Sequence, residues 1–297
     1  MHSETQQLLT TLETLSGATV YSLVGDEPYQ PWVWEIGDRG QLTIEGILHR
    51  QGNLQSLEPN DFWRRIDRLN SDSSAQTYGE LRQWLERETD RCYYFNYDLS
   101  PLLHSVLAEI SEQERDRRMH VPVILAELTS GEYLGLCPKQ RATTRVDRQF
   151  ELPIVTPTDI AREKMVALQE LTANLAFSLS TTDEFSVCDF VVDSPFWEVV
   201  FRDGRSTVLE QLLQSAGFLE IREINRFFRI EEDEDFDEDE ELEEDRRLRE
   251  FFNDRLQDSR AIEFSFVMGG EFYTSHYAIG QTPPGDWIGA TTISYTC

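Results

Sequence analysis

Cysteine is scarce in this chain. Cys92, Cys137, Cys188 and Cys297 show no short spacing and no neighbouring histidine, which excludes a disulfide framework and a zinc site. Long apolar runs are missing too, since no stretch approaches the roughly 20 residues that a membrane-spanning helix needs. The opening segment Met1–Gln7 lacks the basic and apolar regions of a secretory signal, so a cytoplasmic protein with reduced thiols is expected. Positive charge is in short supply: 27 Lys and Arg face 55 Asp and Glu, for a net charge of -28. Such a chain is repelled by phosphate backbones and anionic lipid, so neither nucleic acid nor a membrane is expected as a partner. No GxSxG, Walker A or GxGxxG pattern occurs. The five histidines, His2, His49, His104, His120 and His276, stand apart without a companion acid at ligand spacing, and read as surface or core residues. No metal, no cofactor and no enzymatic activity is expected.

What the chain has is enough apolar and aromatic content, 39% and 11%, for two cores. It also echoes itself. Leu12–Leu15, Val20–Leu23 and Asp26-Glu27 return as Leu168–Leu171, Ala176–Leu179 and Asp183-Glu184, 156 residues later at Leu12 and Leu168. Trp34-Glu35 matches Trp197-Glu198, and Ile47-Leu48 with Gly52 matches Leu212-Leu213 with Gly217. Asn60–Arg64 aligns with Asn225–Arg229 at a separation of 165, and Gly131–Gly135 with Gly285–Gly289 at 154. Five ordered matches point to an internal duplication. Each half opens with an amphipathic helix, Thr5–Leu15 and Pro157–Thr172, the second capped by Thr158 or Asp159. Gly52 and Gly217 fall where helix-ending glycines belong. Strands are expected at Val121–Leu128, at Ala261–Met268 and Glu271–Gly280 around the Gly269-Gly270 turn, and at Ile288–Tyr295. Helices are expected at Tyr78–Arg91 and Pro101–Arg117. The proline-bearing stretch 138–157 reads as a linker between domains 1–137 and 158–297.

Leu248–Phe252, the hairpin, and Gly280-Gln281-Thr282-Pro283-Pro284-Gly285-Asp286-Trp287-Ile288-Gly289 with its short final strand resemble the nuclease A inhibitor family of cyanobacteria. The first half resembles it in Gly17–Leu23, Pro31–Glu35 and Asp61–Arg64. The resemblance implies two tandem three-layer α/β/α sandwich domains with mixed sheets. It also implies a non-enzymatic inhibitor that binds a sugar-non-specific DNA/RNA nuclease of the ββα-metal type. In that family the chain end reaches the nuclease's catalytic magnesium, helped by a loop glutamate. A terminal carboxylate is a hard oxygen ligand suited to Mg²⁺, and an acidic surface complements a phosphate-attracting cleft.

This sequence departs from the pattern at both contacts. Cys297 stands where the family has threonine, and a thiol is a softer ligand. The loop glutamate aligns with Ser180 and, in the first half, with Val24, so Glu184, or Asp26 and Glu27, serves in its place only with a reshaped loop. The expected partner-binding residues are Ser180, Glu184, Gly285, Asp286, Trp287, Thr296 and Cys297. The alternative is an acidic scaffold that kept the fold and lost the nuclease. The acidic insertion 231–245, with 13 acids in 15 residues, reads as a solvated loop or a nucleic-acid mimic. Cys92–Tyr97 reads as a buried segment, and Trp32, Trp34, Trp63 and Trp197 read as core.

Overall fold

Local chemistry sets the helix ends. In the computed structural model, Thr43 begins one helix by accepting a hydrogen bond from the Gly46 amide at 3.0 Å, and Gly52 ends it with φ 78°. Thr158 caps another through the Ala161 amide. Such hydroxyl caps are worth about 1 kcal/mol each. The structure describes residues 1–17, 29–69, 72–98, 120–139, 155–173, 175, 179–180, 189–190, 197–228, 243–268 and 271–296. Helices are α1 (Ser3–Gly17), α2 (Ile36–Arg39), α3 (Ile44–Gln51), α4 (Pro59–Leu69), α5 (Asp72–Glu88), α6 (Asp159–Thr172), α7 (Arg205–Ser215), α8 (Ile224–Phe227) and α9 (Glu243–Arg255). Strands are β1 (Gln30–Trp34), β2 (Leu54–Leu57), β3 (Arg91–Asp98), β4 (His120–Glu127), β5 (Tyr133–Pro138), β6 (Leu179–Ser180), β7 (Asp189–Phe190), β8 (Trp197–Arg202), β9 (Leu219–Glu223), β10 (Gln257–Met268), β11 (Glu271–Gln281) and β12 (Trp287–Thr296). Among the described residues no helix is long and apolar enough to cross a membrane. The expected helix 101–117, the extended piece near 19–23 and residues 231–242 lie outside the described residues.

Two five-stranded sheets dominate, ordered β1-β12-β11-β10-β9 and β2-β3-β4-β5-β8; β6 and β7 pair separately. Every pairing is antiparallel, so the expectation of mixed sheets is corrected. The three central strands of each sheet follow one another in the chain, and both flanking strands enter in the opposing direction. With β6 and β7 set aside and strands counted within their own half, each strand has the same place in both sheets. The two halves repeat one topology.

The sheets do not divide the chain at the expected linker. β1 belongs to the first half by sequence but pairs with β12, placing Trp32 opposite Gly289 and Trp34 opposite Trp287. Reciprocally, β8 pairs with β5, placing Val200 opposite Gly135. The helices move with their strands: α1 packs on β1, β12 and α9, and α6 on β8 and α5. Each half thus gives its first helix and strand to the other half's sheet. An exchanged strand keeps the same alternation and the same antiparallel partner type, so nothing in the local pattern announces the exchange. Pro138 is the last residue of β5, Lys139 follows it outside the strand, and 140–154 lies outside the described residues.

The matched segments can now be compared. Gly217 has φ 85°, and the Phe218 amide donates to the Leu213 carbonyl at 2.8 Å just as Asn53 donates to Leu48 at 2.9 Å. Phe62–Trp63 and Phe227–Phe228 are both buried, edge-on ring pairs with centroids 5.2 and 5.0 Å apart. The Trp34-Glu35 match with Trp197-Glu198 is corrected. With Gly289 and Gly135 as reference, Trp32 occupies the place of Val200, and Trp197 lies opposite Pro138.

α3 and α7 lie between the sheets. α3 sets Gly46 against the Trp34 ring and His49 against Phe95, whose ring centroids are 6.0 Å apart. α7 sets Val208 and Leu212 against Gly135 and reaches β9. The Arg205 guanidinium pairs with Glu45 and lies 4.3 Å from the Tyr93 ring centre, joining the two helices. Desolvation pushes the Glu45 carboxyl up, but hydrogen bonds from His49 and Arg205 and the charge of Arg205 outweigh it, leaving it below its ordinary value. The outer face of the first sheet, with Ala261, Ala278, Ile288 and Ala290, is covered by Leu9 and Leu12 of α1 and by Leu248, Phe251 and Phe252 of α9.

Candidate functional site

The turn Thr282–Trp287 is built by short-range hydrogen bonds. The Thr282 amide donates to the Asp286 carbonyl at 2.7 Å and the Gly285 amide to the Thr282 carbonyl at 2.8 Å. Gly285 sits at φ 101°, which favours glycine. Asp286 is 3% exposed. Its Oδ2 accepts from the Thr5 hydroxyl at 2.9 Å and its Oδ1 from the Ile36 amide at 3.0 Å. This carboxylate therefore ties the exchanged α1 and the first residue of α2, just past β1, to the second half's sheet. Trp287 is 7% exposed, inside the layer between the sheets, with the Arg260 guanidinium 5.1 Å from its ring centre. Asp286 and Trp287, expected at a binding edge, are thus buried, and Gly285, partly exposed, shapes the turn. The turn signal in the sequence is real, but its acid points inward.

Among the described residues, the turn and the end of β12 do not come together. β12 runs from Trp287 to Thr296, which lies opposite Phe272. Ten residues of strand span about 30 Å, so the turn and the strand end occupy opposite ends of the sheet. Ser180 lies in β6, opposite Asp189 in β7. Glu184 and Cys297 lie outside the described residues.

The end of β12 has its own character. Among the described residues β1 pairs with Trp287–Thr291, and β12 runs on for five more positions, 292–296. β11 follows β12 along its whole length. On the face that also carries Ala261, Ala278 and Ala290, this end bears a polar row. Glu263 of β10 stands opposite His276 of β11. The His276 Nδ1 is 2.9 Å from Glu263 Oε1, and its Nε2 is 2.7 Å from the Ser294 hydroxyl oxygen on β12. Arg222 Nε lies 3.2 Å from Glu263 Oε2, and Arg222 also donates to both oxygens of Glu220, at 2.7 and 2.9 Å. The hydroxyls of Ser265 and Thr274 are 2.9 Å apart on the same face. Glu263 and His276 are 3% and 4% exposed, whereas Ser294 is only partly covered. The Phe227 ring packs on His276, 5.7 Å between centres.

Spacing along the chain does not reveal this array, because the companion of His276 stands on the neighbouring strand. The signal was present in the Gly269-Gly270 turn. A two-residue loop sets Met268 opposite Glu271, and stepping five residues outward along each strand brings Glu263 to His276.

Among the described residues no cluster of three His, Cys, Asp or Glu side chains is placed to hold a metal ion. Burial raises the thiols of Cys92 and Cys137 above their ordinary value, which makes both poor nucleophiles. Compared with known proteins, the chain matches no family model, and no curated protein matches it.

Proposed function

We propose that the chain is a protein-binding protein that inhibits a sugar-non-specific nuclease of the ββα-metal type, engaging it through the end of β12. On this reading each half is a diverged copy of one inhibitor-like three-layer sandwich, and the helices between the sheets are the shared middle layer. The observation that carries it is that β12, the strand on which the resemblance to the inhibitor family falls, runs on to Thr296 with Ser294 partly exposed near its end. The net charge of -28 supplies the complementary field, because a cleft that attracts phosphate also attracts carboxylates. The resemblance of the hairpin and final strand to the nuclease A inhibitor family points to the same end of the molecule.

The test is a titration of such a nuclease with the full chain, following DNA cleavage with magnesium in large excess. Equivalence near one to one is expected. Deleting Thr296 and Cys297 is expected to weaken the complex at least tenfold while leaving the circular dichroism spectrum unchanged. Undiminished affinity after the deletion would rule the strand end out.

The inward commitment of Asp286 and Trp287 favours a second reading, an acidic scaffold that uses its charge alone. It predicts no nuclease inhibition and partners that are released in moderate salt.

A further inference from the structure

We propose that Ser294 is a nucleophile, activated by His276 and positioned by Glu263, that accepts the acyl group of a small carboxylic ester. This inference is independent of nuclease binding and survives or fails on its own test.

Three requirements of a hydroxyl nucleophile meet here: a base within hydrogen-bond reach, a third group that orients the base, and a reactive end open to solvent. The Ser294 oxygen is 2.7 Å from His276 Nε2, and His276 Nδ1 is 2.9 Å from Glu263 Oε1. An ionised carboxylate only accepts, so Nδ1 carries the imidazole proton, and in the neutral ring Nε2 is then the acceptor facing the serine. That is the tautomer a general base needs. Arg222 at 3.2 Å compensates the charge of the otherwise enclosed Glu263. The three members sit on three adjacent strands in fixed register, so no loop has to move to assemble them. Of the three, Ser294 alone is partly exposed.

The other half argues against a purely structural role. The Asp98 amide donates to the Asn53 carbonyl as the Ser265 amide donates to Phe218, which fixes the equivalence of β3 with β10. Asn96 then takes the place of Glu263, and its cross-strand partner Pro122 the place of His276. That sheet holds its core without such an array, so the fold does not require one.

Thr274 stands directly opposite Ser294. Opposed side chains on one sheet face lie about 5 Å apart at Cβ, which puts the Thr274 hydroxyl beside a carbonyl oxygen under attack. It donates to the developing oxyanion while accepting from Ser265. In the reaction, the serine oxygen bonds to the carbonyl carbon and its proton passes to His276 Nε2. The tetrahedral intermediate collapses, the ester C–O bond breaks, and the alkoxide leaves as alcohol with that proton. Water, deprotonated by His276, then cleaves the acyl-serine to acid and free Ser294. The Phe227 ring against His276 restricts the acyl group to a small one.

The experiment treats the full chain with an alkyl fluorophosphonate and maps the adduct by peptide mass spectrometry. One phosphonyl group on Ser294 is expected, with fluoride lost from phosphorus. His276→Gln is expected to slow labelling at least ~100-fold, the usual worth of a general base. Glu263→Gln is expected to slow it less and to shift the pH at which the rate levels off, an effect that loosened packing does not produce. An unmodified Ser294 in the folded wild-type protein overturns the proposal, as does equal labelling of a folded His276→Gln variant. If that variant does not fold, Ser294→Ala decides: a burst of p-nitrophenol from the acetate ester that persists in it also overturns the proposal.

Discussion

The two halves build one scaffold and fasten it with different strength. In each, an acid in the turn before the last strand holds the start of the helix received from the other half. Glu132 Oε2 accepts from the Thr158 hydroxyl at 2.6 Å, at the surface. Asp286 takes Thr5 and Ile36 in a site closed to water. The turns themselves share their hydrogen bonds, Gly131 to Leu128 and Gly285 to Thr282 both at 2.8 Å. What differs is desolvation, and with it the cost of losing the acid. A shared backbone geometry therefore says little about how much a contact contributes until its burial is known.

The sharpest way to break the comparison uses its two equivalent glycines. A Cβ on Gly289 would lie 2.2 Å from the Ala278 carbonyl oxygen, which cannot give way without moving β11. A Cβ on Gly135 would meet only side chains of Leu212, Val200 and Val208, each at 3.2 Å. Gly289→Ala is expected to cost about 3 kcal/mol or more and Gly135→Ala about 1 kcal/mol, measured by urea unfolding. Equal costs would mean that the halves are packed alike.

Next in size is the pair of acids. Asp286→Ala leaves the buried Thr5 hydroxyl and the Ile36 amide without their acceptor, expected to cost roughly 2–4 kcal/mol. Glu132→Ala, at an exposed site, is expected to cost under about 1 kcal/mol. A Glu132 variant as damaged as the Asp286 variant would refute the burial argument.

Acid tests the contacts between halves more gently. Hydrogen bonds from Arg87 and Lys164 lower the Glu88 carboxyl to about 2, and the 2.6 Å contact with Lys164 joins α5 to the exchanged α6. For Glu132, the hydroxyls of Ser130 and Thr158 and the Thr158 amide outweigh desolvation. With folded-state values depressed, the stability these groups contribute is present above the ordinary carboxylate range and is lost as pH falls through the folded values. The melting temperature is expected to fall below about pH 4.5, and less steeply in Glu88→Gln. An identical acid profile in that variant would remove Glu88 from the account.

The smallest effect is expected from cutting the chain. Proteolysis between residues 140 and 154 leaves each fragment holding the other's first strand and helix. Co-elution on gel filtration with an unchanged far-ultraviolet spectrum is expected, and two separating fragments would contradict the exchange.

Much of this architecture was legible. Gly52, Gly217 and the Thr158 cap stood where the helices end, and the paired rings Phe62-Trp63 and Phe227-Phe228 were matched correctly, because such signals are local. The exchange was not legible, since Trp32 finds the same kind of edge on β12 as on β5. The inward turn of Asp286 was hidden for a related reason: its partners Thr5 and Ile36 lie some 250 to 281 residues away. His276 and Glu263 occupy a middle ground, because a glycine turn between them encodes their meeting and only the register had to be followed outward.

The exchange also bears on how the chain is made. A ribosome delivers residues in order, and domains ordinarily fold as they emerge. Here the sheet holding β2 to β5 lacks its last strand until Arg202 has been added, and β1, complete at Trp34, does not meet its final partner before β12 exists. For most of synthesis this early strand waits for that partner. It is only five residues long and contains Pro31, which cannot donate to a ladder. A short strand interrupted by proline is a poor template for association with other chains, and that makes the wait tolerable.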